Sequence, residues 1–183
     1  LWRRCRWCCC TGRKIPALIA TTGCSEPQRA EIAELARKTA VLVAANTSTA
    51  VFVMQEIAAL AQRLCGADFD IEFFEMHHRH KKDAPSGTAL ALAQTLAGQG
   101  NLQVTAARHG ATAPRQSREI GVAALRGGDL PGEHTIFFLG DGERLEITQR
   151  ARDRAVFARG ALRLMRLLRS KKAGLYTVKD LYF

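Results

Sequence analysis

The amino-acid sequence predicts an α/β unit followed by an α+β unit. In the first part of the chain, two short and continuously apolar runs, at 15–20 and 39–45, flank a helical pattern. Strand, helix and strand within about 30 residues make a βαβ unit, in which the two strands are parallel. Further along, alternating apolar runs are joined by the turn 140–142, which contains two glycines and predicts an antiparallel hairpin. We therefore expect a parallel fragment followed by a mostly antiparallel sheet with helices.

The elements of the first unit follow from apolar patterning and helix capping. Continuous apolar runs such as 15–20 and 39–45 are typical of strands that are buried on both faces. The helix between them is expected to begin at Ser25, because Pro27 suits a first turn and Gln28 stands in the capping-box position. Its inward stripe is predicted to contain Ile32, Leu35 and Ala36.

The elements of the second unit follow from helical stripes and strand alternation. A helix over 49–65 is expected to turn one apolar stripe inward, namely Val53, Ile57, Leu60, Ala61 and Leu64. A half-buried strand follows at 69–74, and Ser86 is expected to start a helix that reaches residue 97. Three further strands are predicted around 120–124, 135–139 and 145–147. A last helix over 155–170 is expected to bury Leu162, Met165 and Leu168.

Composition limits the class of protein. The chain has 183 residues, of which 47% are hydrophobic, so a folded core is expected. The sequence contains no run of about 18 apolar residues, so no membrane span is predicted. Most of the six cysteines stand within residues 5–10, while Cys24 and Cys65 lie in apolar surroundings, as buried free thiols do. We expect a reducing compartment, because a disulfide framework would spread its cysteines along the chain.

The first 13 residues differ in texture from the rest of the chain. They follow neither helical nor strand periodicity, and we interpret them as a non-native segment. Cys5 and Cys8 have the CxxC spacing, but a zinc site would need two more ligands at a matching spacing. We therefore assign no metal site.

The net charge of +10 predicts an anionic partner. The excess of Lys and Arg is concentrated in residues 1–14 and 150–172. Charge alone is compatible with nucleic acid, with acidic lipid and with a small molecule that carries phosphate or carboxylate groups. Nucleic-acid binding through the 150–172 face is the least favoured of these, because few aromatic residues lie near the basic patches.

The densest chemistry lies at 75–88, between a predicted strand and a predicted helix. Six consecutive residues, 77–82, can carry positive charge, and three of them are histidines, which titrate near neutral pH. Residues 85–88 open a helix, whose first N–H groups can bind a carboxylate or phosphate. Three interpretations stay open on this pattern alone: an enzyme that acts on a small acidic molecule, a solvated basic surface, and a metal pair formed by His77 and His80.

Residues 75–90, EMHHRHKKDAPSGTAL, closely resemble the motif E-x-HHRHK-x-DAPSGTA of the 4-hydroxy-tetrahydrodipicolinate (dihydrodipicolinate) reductases. Residues 20–23 are similar to the family's G-T-T-G segment, and residues 44–46 to its A-A-N segment. Residues 120–135 resemble the family's I-G-x-x-x-x-R-x-G-D-x-x-G-E-H-T, and residues 142–148 continue it. The resemblance covers roughly residues 14–180.

The resemblance implies a two-domain, cytoplasmic, homotetrameric enzyme that reduces a cyclic imine dicarboxylate in the diaminopimelate route to lysine. The reductant would be NADH or NADPH, and neither nucleic acid nor a membrane would be a partner. His77 would be the proton donor, and Lys81 would hold and polarise the substrate. Substrate-binding residues would be His78, Ser86, Gly87, Thr88 and Arg154. Cofactor-binding residues would be Ala20, Thr21, Thr22, Ala44, Ala45, Asn46 and Thr47.

The resemblance also implies a division of labour within the chain. Residues 14–46 and 155–183 would be the remnant of a Rossmann-like, parallel-sheet dinucleotide-binding domain. Residues 47–154 would form the mixed or antiparallel sheet of a domain for substrate binding and tetramerisation.

The sequence departs from the family pattern at the cofactor side. The family's glycine-rich turn G-x-x-G-x-x-G, which holds a pyrophosphate at a helix N-terminus, does not occur in this sequence. Ala20 stands where the family has the first glycine of G-T-T-G, and Thr47 replaces a larger apolar residue. We expect cofactor binding to be affected more than substrate binding. An inactive remnant that still folds and binds dicarboxylate is therefore the alternative to an active reductase.

Overall fold

The chain divides into two compact units. The computed structural model describes residues 14–21, 23–106, 108, 110 and 114–183, so the segment 1–13 that we interpret as non-native lies outside the described residues. The first unit comprises the described residues up to Ser48 together with Ala155–Phe183, and the second unit is Thr49–Arg154. The assignment of nucleotide binding to one unit and substrate binding to the other stays a prediction.

The described residues form eight strands and five α-helices. A short 3-10 turn, Gly66–Asp68, separates the second helix from the third strand. The elements are β1 (Ala17–Ile19), α1 (Glu26–Ala36), β2 (Ala40–Val43), α2 (Thr49–Cys65), β3 (Asp70–His77), α3 (Gly87–Gly100), β4 (Gln103–Ala106), β5 (Glu119–Arg126), β6 (Glu133–Gly140), β7 (Glu143–Arg150), α4 (Ala155–Leu168), β8 (Gly174–Tyr176) and α5 (Lys179–Tyr182).

The first unit contains a parallel three-stranded sheet in the order β1-β2-β8. The predicted βαβ unit is confirmed, and the Ser25 N–H donates to Gln28 Oε1 at 2.9 Å, as the capping box requires. The two faces of β2 pack in different hydrophobic clusters: Val41 packs with α1 and Leu42 packs with α4. The third strand, β8, was not predicted, because it begins with a glycine and lacks the continuous apolar run that surrounds β1.

The inward face of α4 differs from the predicted one at Leu162. Leu164 and Leu168 are buried and Met165 packs beside them, whereas Leu162 is 62% exposed. Gly160 explains the orientation of the helix, because a Cβ at this position would lie 1.9 Å from the carbonyl oxygen of Thr47. The helix packs closely at its glycine, so its buried stripe passes through positions 160, 164 and 168.

The second unit contains a five-stranded sheet in the order β4-β5-β3-β6-β7. The hairpin predicted across residues 140–142 is confirmed, because β6 and β7 are antiparallel and Gly140 pairs with Glu143. The sheet is mixed rather than mostly antiparallel, since β5 is parallel to both β3 and β4. The helix α3 between β3 and β4 makes this possible, because a crossover connection returns the chain in the same direction.

Helix α2 turns a different face to the sheet from the one its pattern predicted. Ala61 is buried as expected, but the other four predicted positions, Val53, Ile57, Leu60 and Leu64, are between 44% and 75% exposed. The buried stripe consists instead of Val51, Met54, Ala58 and Ala61. Apolar residues occur around most of this helix, and the small alanines let it approach the sheet closely. Packing distance, which a hydrophobicity pattern does not contain, therefore selects the face.

The expectations from composition are met in part. Cys24 and Cys65 are free, but they are half-buried at the margins of two core clusters rather than fully buried, because only part of each side chain is covered there. None of the helices in the described ranges is long and apolar enough to cross a membrane.

Candidate active site

The residues of the 75–88 segment are placed by the end of β3 and the start of α3. Alternation along β3 puts Ile71, Phe73, Glu75 and His77 on the same buried face. The first two belong to the hydrophobic core under α2 and α3. Glu75 and His77 continue this row past the end of the core, so two ionisable side chains lie in buried positions.

The carboxylate of Glu75 is fully buried and accepts hydrogen bonds on both oxygens. The Ser86 N–H donates to Oε1 at 2.8 Å, and the Arg126 guanidinium donates to Oε1 at 2.7 Å and to Oε2 at 2.8 Å. His77 Nδ1 lies 2.6 Å from Oε2. Burial by itself would raise the pKa of Glu75, but the hydrogen bonds from His77, Arg126 and Ser86 together lower the pKa to about 2. Glu75 is therefore ionised at neutral pH.

The imidazole of His77 is enclosed on three sides. Its Nδ1 meets Glu75, and its ring lies edge-to-face against His134 with 5.3 Å between the ring centroids. Its Nε2 lies beside Gly132, where an added Cβ would come within 2.8 Å of that nitrogen. Gly132 also has φ of +150°, a conformation that favours glycine. The absence of a side chain at 132 thus leaves room at Nε2.

His134 is a buried neutral histidine. Burial, together with the neighbouring His77, lowers the pKa of His134 to about 4. Its Nε2 lies 3.4 Å from Ser86 Oγ, and the Gln149 side chain partly opposes the lowering of the pKa. At neutral pH this ring is uncharged and serves as a packing surface for His77.

A cationic cavity of about 810 Å³ lies next to this network, on the second unit. Arg154 Nη2 and His78 Nε2 are 3.2 Å apart, so the structure brings together two of the predicted substrate-binding residues, which are 76 positions apart in sequence. Desolvation and then the charges of Arg154, His77, His80 and Lys81 lower the pKa of His78. A neutral His78 can accept a hydrogen bond from Arg154, which leaves the guanidinium charge for an anionic ligand. The cavity is lined by His78, Arg79, His80, Gly128, Asp129 and Arg154.

Lys81 lies in the turn between β3 and α3. Its N–H donates to the His78 carbonyl at 3.1 Å, and its Nζ lies 2.9 Å from Asp83 Oδ1. The hydrogen bond from Lys81 lowers the pKa of the Asp83 carboxyl. The Asp83 carbonyl in turn accepts from Arg126 at 2.6 Å, so the turn that carries Lys81 is tied to the guanidinium that holds Glu75.

The start of α3 is capped by Ser86, as predicted. Ser86 Oγ accepts from the Ala89 N–H at 3.1 Å, and the Ser86 N–H is taken by Glu75. Ser86 is itself buried. Anion binding by Ser86, Gly87 and Thr88 stays a prediction, and the Ser86 N–H already has an anionic partner within the protein.

The predicted cofactor segments lie at the carboxyl edge of the first sheet. Ala20 and Thr21 follow β1, residues 44–47 follow β2, and the two strands are parallel neighbours with Ile19 opposite Val43. Asn46 Oδ1 accepts from the Ser48 N–H at 2.8 Å, and Thr47 Oγ1 donates to the Phe157 carbonyl at 2.8 Å. Thr22 lies outside the described residues. The described ranges contain no group of three or more His, Cys, Asp or Glu side chains that could hold a metal ion.

Residues 50–182 match the model of the family described as "Dihydrodipicolinate reductase, C-terminus". The chain belongs to the dihydrodipicolinate reductase family. The resemblance stated from the motifs is therefore confirmed.

Individual dihydrodipicolinate reductases agree with this assignment. The chain is 45% identical to the 4-hydroxy-tetrahydrodipicolinate reductase of Myxococcus xanthus over 174 residues, which cover 93% of this chain and 64% of that protein. It is 44% identical to the enzyme of the same name from Thiobacillus denitrificans, with 91% of this chain and 64% of that protein covered. The chain thus spans about 64% of the length of these relatives.

A solved structure confirms the fold class. The chain is similar to the dipicolinate-bound dihydrodipicolinate reductase from Paenisporosarcina sp. TG-14, with a TM-score of 0.70 and 26% identity. The similarity covers 92% of this chain and 64% of that one. The mixed α/β architecture predicted from the sequence is the architecture of this family.

The geometry adds four residues to those that the dihydrodipicolinate reductase motifs suggested, namely Glu75, Arg126, Gly132 and His134. Glu75 stands two positions before His77, and a strand period of two would have placed both side chains on one face. The other three lie in the segment 120–135, which resembles the family pattern but does not by itself indicate a role for them. Their contacts with His77 and Glu75 depend on how the strands pair.

Proposed function

We propose that this chain acts as a 4-hydroxy-tetrahydrodipicolinate reductase, which reduces its cyclic imine dicarboxylate substrate to tetrahydrodipicolinate with NADPH or NADH. The observation that carries the proposal is His77, whose Nδ1 is held by the buried carboxylate of Glu75 and whose Nε2 is left free of side-chain cover by Gly132. This arrangement lies in the same unit as a cavity rich in cations.

The charges of the cavity suit a dicarboxylate. Arg79 and Arg154 line the cavity and supply permanent positive charge, against the lining carboxylate of Asp129. His78 also lines it, with Nε2 at 3.2 Å from Arg154 Nη2. Charge-assisted hydrogen bonds to carboxylates are about twice as strong as neutral ones. Two carboxylates on the substrate account for the concentration of basic residues in 77–82 better than a solvated surface does.

His77 supplies the proton of the reduction. A nicotinamide cofactor, when bound, would supply hydride chemistry, and hydride addition would leave electron density on a carbon atom of the substrate ring. The Nε2–H bond of protonated His77 breaks, its electron pair stays on the imidazole, and the carbon atom uses its own pair to form the new C–H bond. General acids of this kind contribute about 10²- to 10⁴-fold to the rate.

The cofactor would be held by the segments at the carboxyl edge of β1 and β2. Ala20 and Thr21 are exposed there, beside the segment that ends in Asn46 and Thr47. The side chain of Thr47 is buried and bonded to the Phe157 carbonyl, so it supports the segment rather than reaching outward. These residues fit the nicotinamide end of a dinucleotide, in keeping with ligand binding at the carboxyl ends of parallel strands.

The test is a fluorescence titration of the chain with NADPH and then NADH, with and without pyridine-2,6-dicarboxylate, a planar mimic of the substrate. Nucleotide binding that the dicarboxylate tightens, followed by turnover, is the expected result. Dicarboxylate binding without nucleotide binding would favour the inactive remnant, and binding of neither would contradict the proposal. Sedimentation of the same sample tests the homotetramer that the resemblance implies.

Two variants test the residue roles. His77→Gln is expected to slow turnover by about 10²-fold or more and to leave dicarboxylate binding almost unchanged, whereas Lys81→Ala impairs both. Arg144→Ala is the matched control, because Arg144 is an exposed cation of the same unit that pairs with Glu146. Equal loss of binding and turnover in His77→Gln would contradict the proton-donor role.

A further inference from the structure

We propose that Glu75 is a positioning residue, whose buried carboxylate holds the His77 ring with the hydrogen on Nδ1 and so reserves Nε2 for proton transfer. The inference rests on the proposed function only in taking His77 as the proton donor. The placement of the hydrogen follows from the geometry alone.

The orientation of the carboxylate is determined by its surroundings. Each oxygen of Glu75 has two donors around it: the Ser86 N–H and one Arg126 nitrogen at Oε1, and His77 Nδ1 and the other Arg126 nitrogen at Oε2. The distances lie between 2.6 and 2.8 Å. Rotation of the group would break several of these bonds in a place that water does not reach.

The ionised carboxylate decides which nitrogen of His77 carries hydrogen. A carboxylate can only accept hydrogen bonds, so the short contact with Nδ1 requires a hydrogen on Nδ1. In the neutral ring Nε2 then has the lone pair, and in the protonated ring Nε2 holds the proton that is given away. The nitrogen that holds the transferable proton is therefore determined by Glu75, a fully buried residue.

The remaining contacts restrict the ring in the other directions. The His134 ring lies edge-to-face against it, and Gly132 has no side chain at the Nε2 end. Arg126 cannot take the place of Glu75, because a guanidinium only donates hydrogen bonds. Arg126 instead neutralises the carboxylate and ties it to the Asp83 carbonyl in the turn that carries Lys81.

A glutamine at position 75 would reverse the hydrogen bond to His77. The amide offers one oxygen and one NH₂ group. Arg126 contacts both ends of the group, but the Ser86 N–H, which only donates, faces the Oε1 end, so the amide oxygen would take that end. The NH₂ group would then face His77 Nδ1, which must accept. The hydrogen of the neutral imidazole would move to Nε2.

The test is a long-range ¹H–¹⁵N correlation spectrum of the histidine rings, recorded on the full chain above the pH at which the rings are protonated. His77 is assigned by comparison with His77→Gln. We expect hydrogen on Nδ1 in the wild type and on Nε2 in Glu75→Gln. Glu146→Gln, which removes a carboxylate from the exposed pair with Arg144 in β7, is the matched control and leaves the tautomer unchanged. A His77 ring that keeps its hydrogen on Nδ1 in Glu75→Gln overturns the inference.

A double variant separates positioning from a purely structural role. Glu75→Gln combined with Arg126→Gln removes both charges, so no unpaired buried charge is left to destabilise the fold. If Glu75 served only to neutralise Arg126, the double variant would restore the wild-type tautomer and turnover, and the inference would fail. We expect neither to be restored.

Turnover distinguishes the inference from the function on which it rests. Glu75→Gln is expected to lower kcat on the order of 100-fold, with KM for the dicarboxylate substrate almost unchanged. If His77→Gln is impaired and Glu75→Gln is not, the inference fails and the proposed function stands. If His77→Gln is fully active, the proton-donor role fails, and the tautomer measurement still decides the positioning role of Glu75.

Discussion

Replacing Glu75 with glutamine should destabilise the protein by an amount that depends on pH. The variant removes a carboxylate that is fully buried and that Arg126, His77 and Ser86 all contact. It leaves the Arg126 guanidinium, whose side chain is 18% exposed, without its charged partner. The loss should be large at neutral pH and small in acid.

The lowered pKa of Glu75 sets the magnitude. The folded state lowers the pKa of Glu75 from the ordinary 4.5 to about 2. At about 1.36 kcal/mol for each pKa unit, the ionised carboxylate stabilises the folded state by about 3 kcal/mol. Removing one partner of a buried ion pair typically costs about 3–5 kcal/mol, which agrees with this figure. We therefore expect the free energy of unfolding to fall by about 3 kcal/mol in Glu75→Gln at pH 7.

The sign of the pH dependence follows from the direction of the pKa. Because the folded state lowers the pKa of Glu75, the stabilisation is fully present above about pH 4.5 and is lost as the pH falls towards 2. Wild type and variant should thus differ by about 3 kcal/mol at pH 7 and should converge between pH 4.5 and 2. Other carboxylates titrate in both proteins, so the difference between the two curves isolates Glu75.

The assay is urea unfolding of both proteins at several pH values between 7 and 3. Glu146→Gln is the control, because the Glu146 side chain is 41% exposed and pairs with an exposed Arg144, so a change of about 0–1 kcal/mol is expected. A difference between wild type and Glu75→Gln below 1 kcal/mol at pH 7, or one that does not shrink in acid, would refute the argument.

The close approaches at the glycines and the face of α2 provide two further predictions. Gly160→Ala should lower the free energy of unfolding by about 1–3 kcal/mol, because its Cβ would overlap the Thr47 carbonyl. Gly98→Ala, in a helix with open space around it, should raise stability by about 0.5–1 kcal/mol, and equal urea midpoints for the two variants would contradict this packing. Met54→Ala should cost about 2–5 kcal/mol and Leu64→Gln less than about 0.5 kcal/mol in the same assay, because Met54 is buried and Leu64 is 75% exposed. A larger loss of stability in Leu64→Gln than in Met54→Ala would contradict the observed burial and support the apolar stripe that the sequence pattern predicted.

The amino-acid sequence by itself determined the features that depend on neighbouring residues. The Ser86 cap, the hairpin at 140–142 and the parallel pair of strands at the start all follow from local patterns, and the structure contains each of them. The segment 75–88 was recognisable as the chemical centre because its motif is long and contiguous. The residues of such a segment are neighbours in the sequence itself, so their proximity does not depend on tertiary contacts.

Only the tertiary structure decided the contacts between distant segments. Glu75 and Arg126 are 51 positions apart, and they meet because β3 and β5 are parallel neighbours with His77 opposite Arg126. The strand register that creates this pair depends on every other strand of the sheet, so no local pattern contains it.

The same limit applies to the packing of the helices. Helix α2 is apolar on more than one face, and Ala58 and Ala61, rather than the larger Ile57 and Leu64, meet the core. Burial was decided by how closely the backbone of the helix can approach the sheet, which is a property of two packed surfaces. The sequence therefore determined which residues could do the chemistry, and the packing of strands and helices decided which of them hold His77 in position.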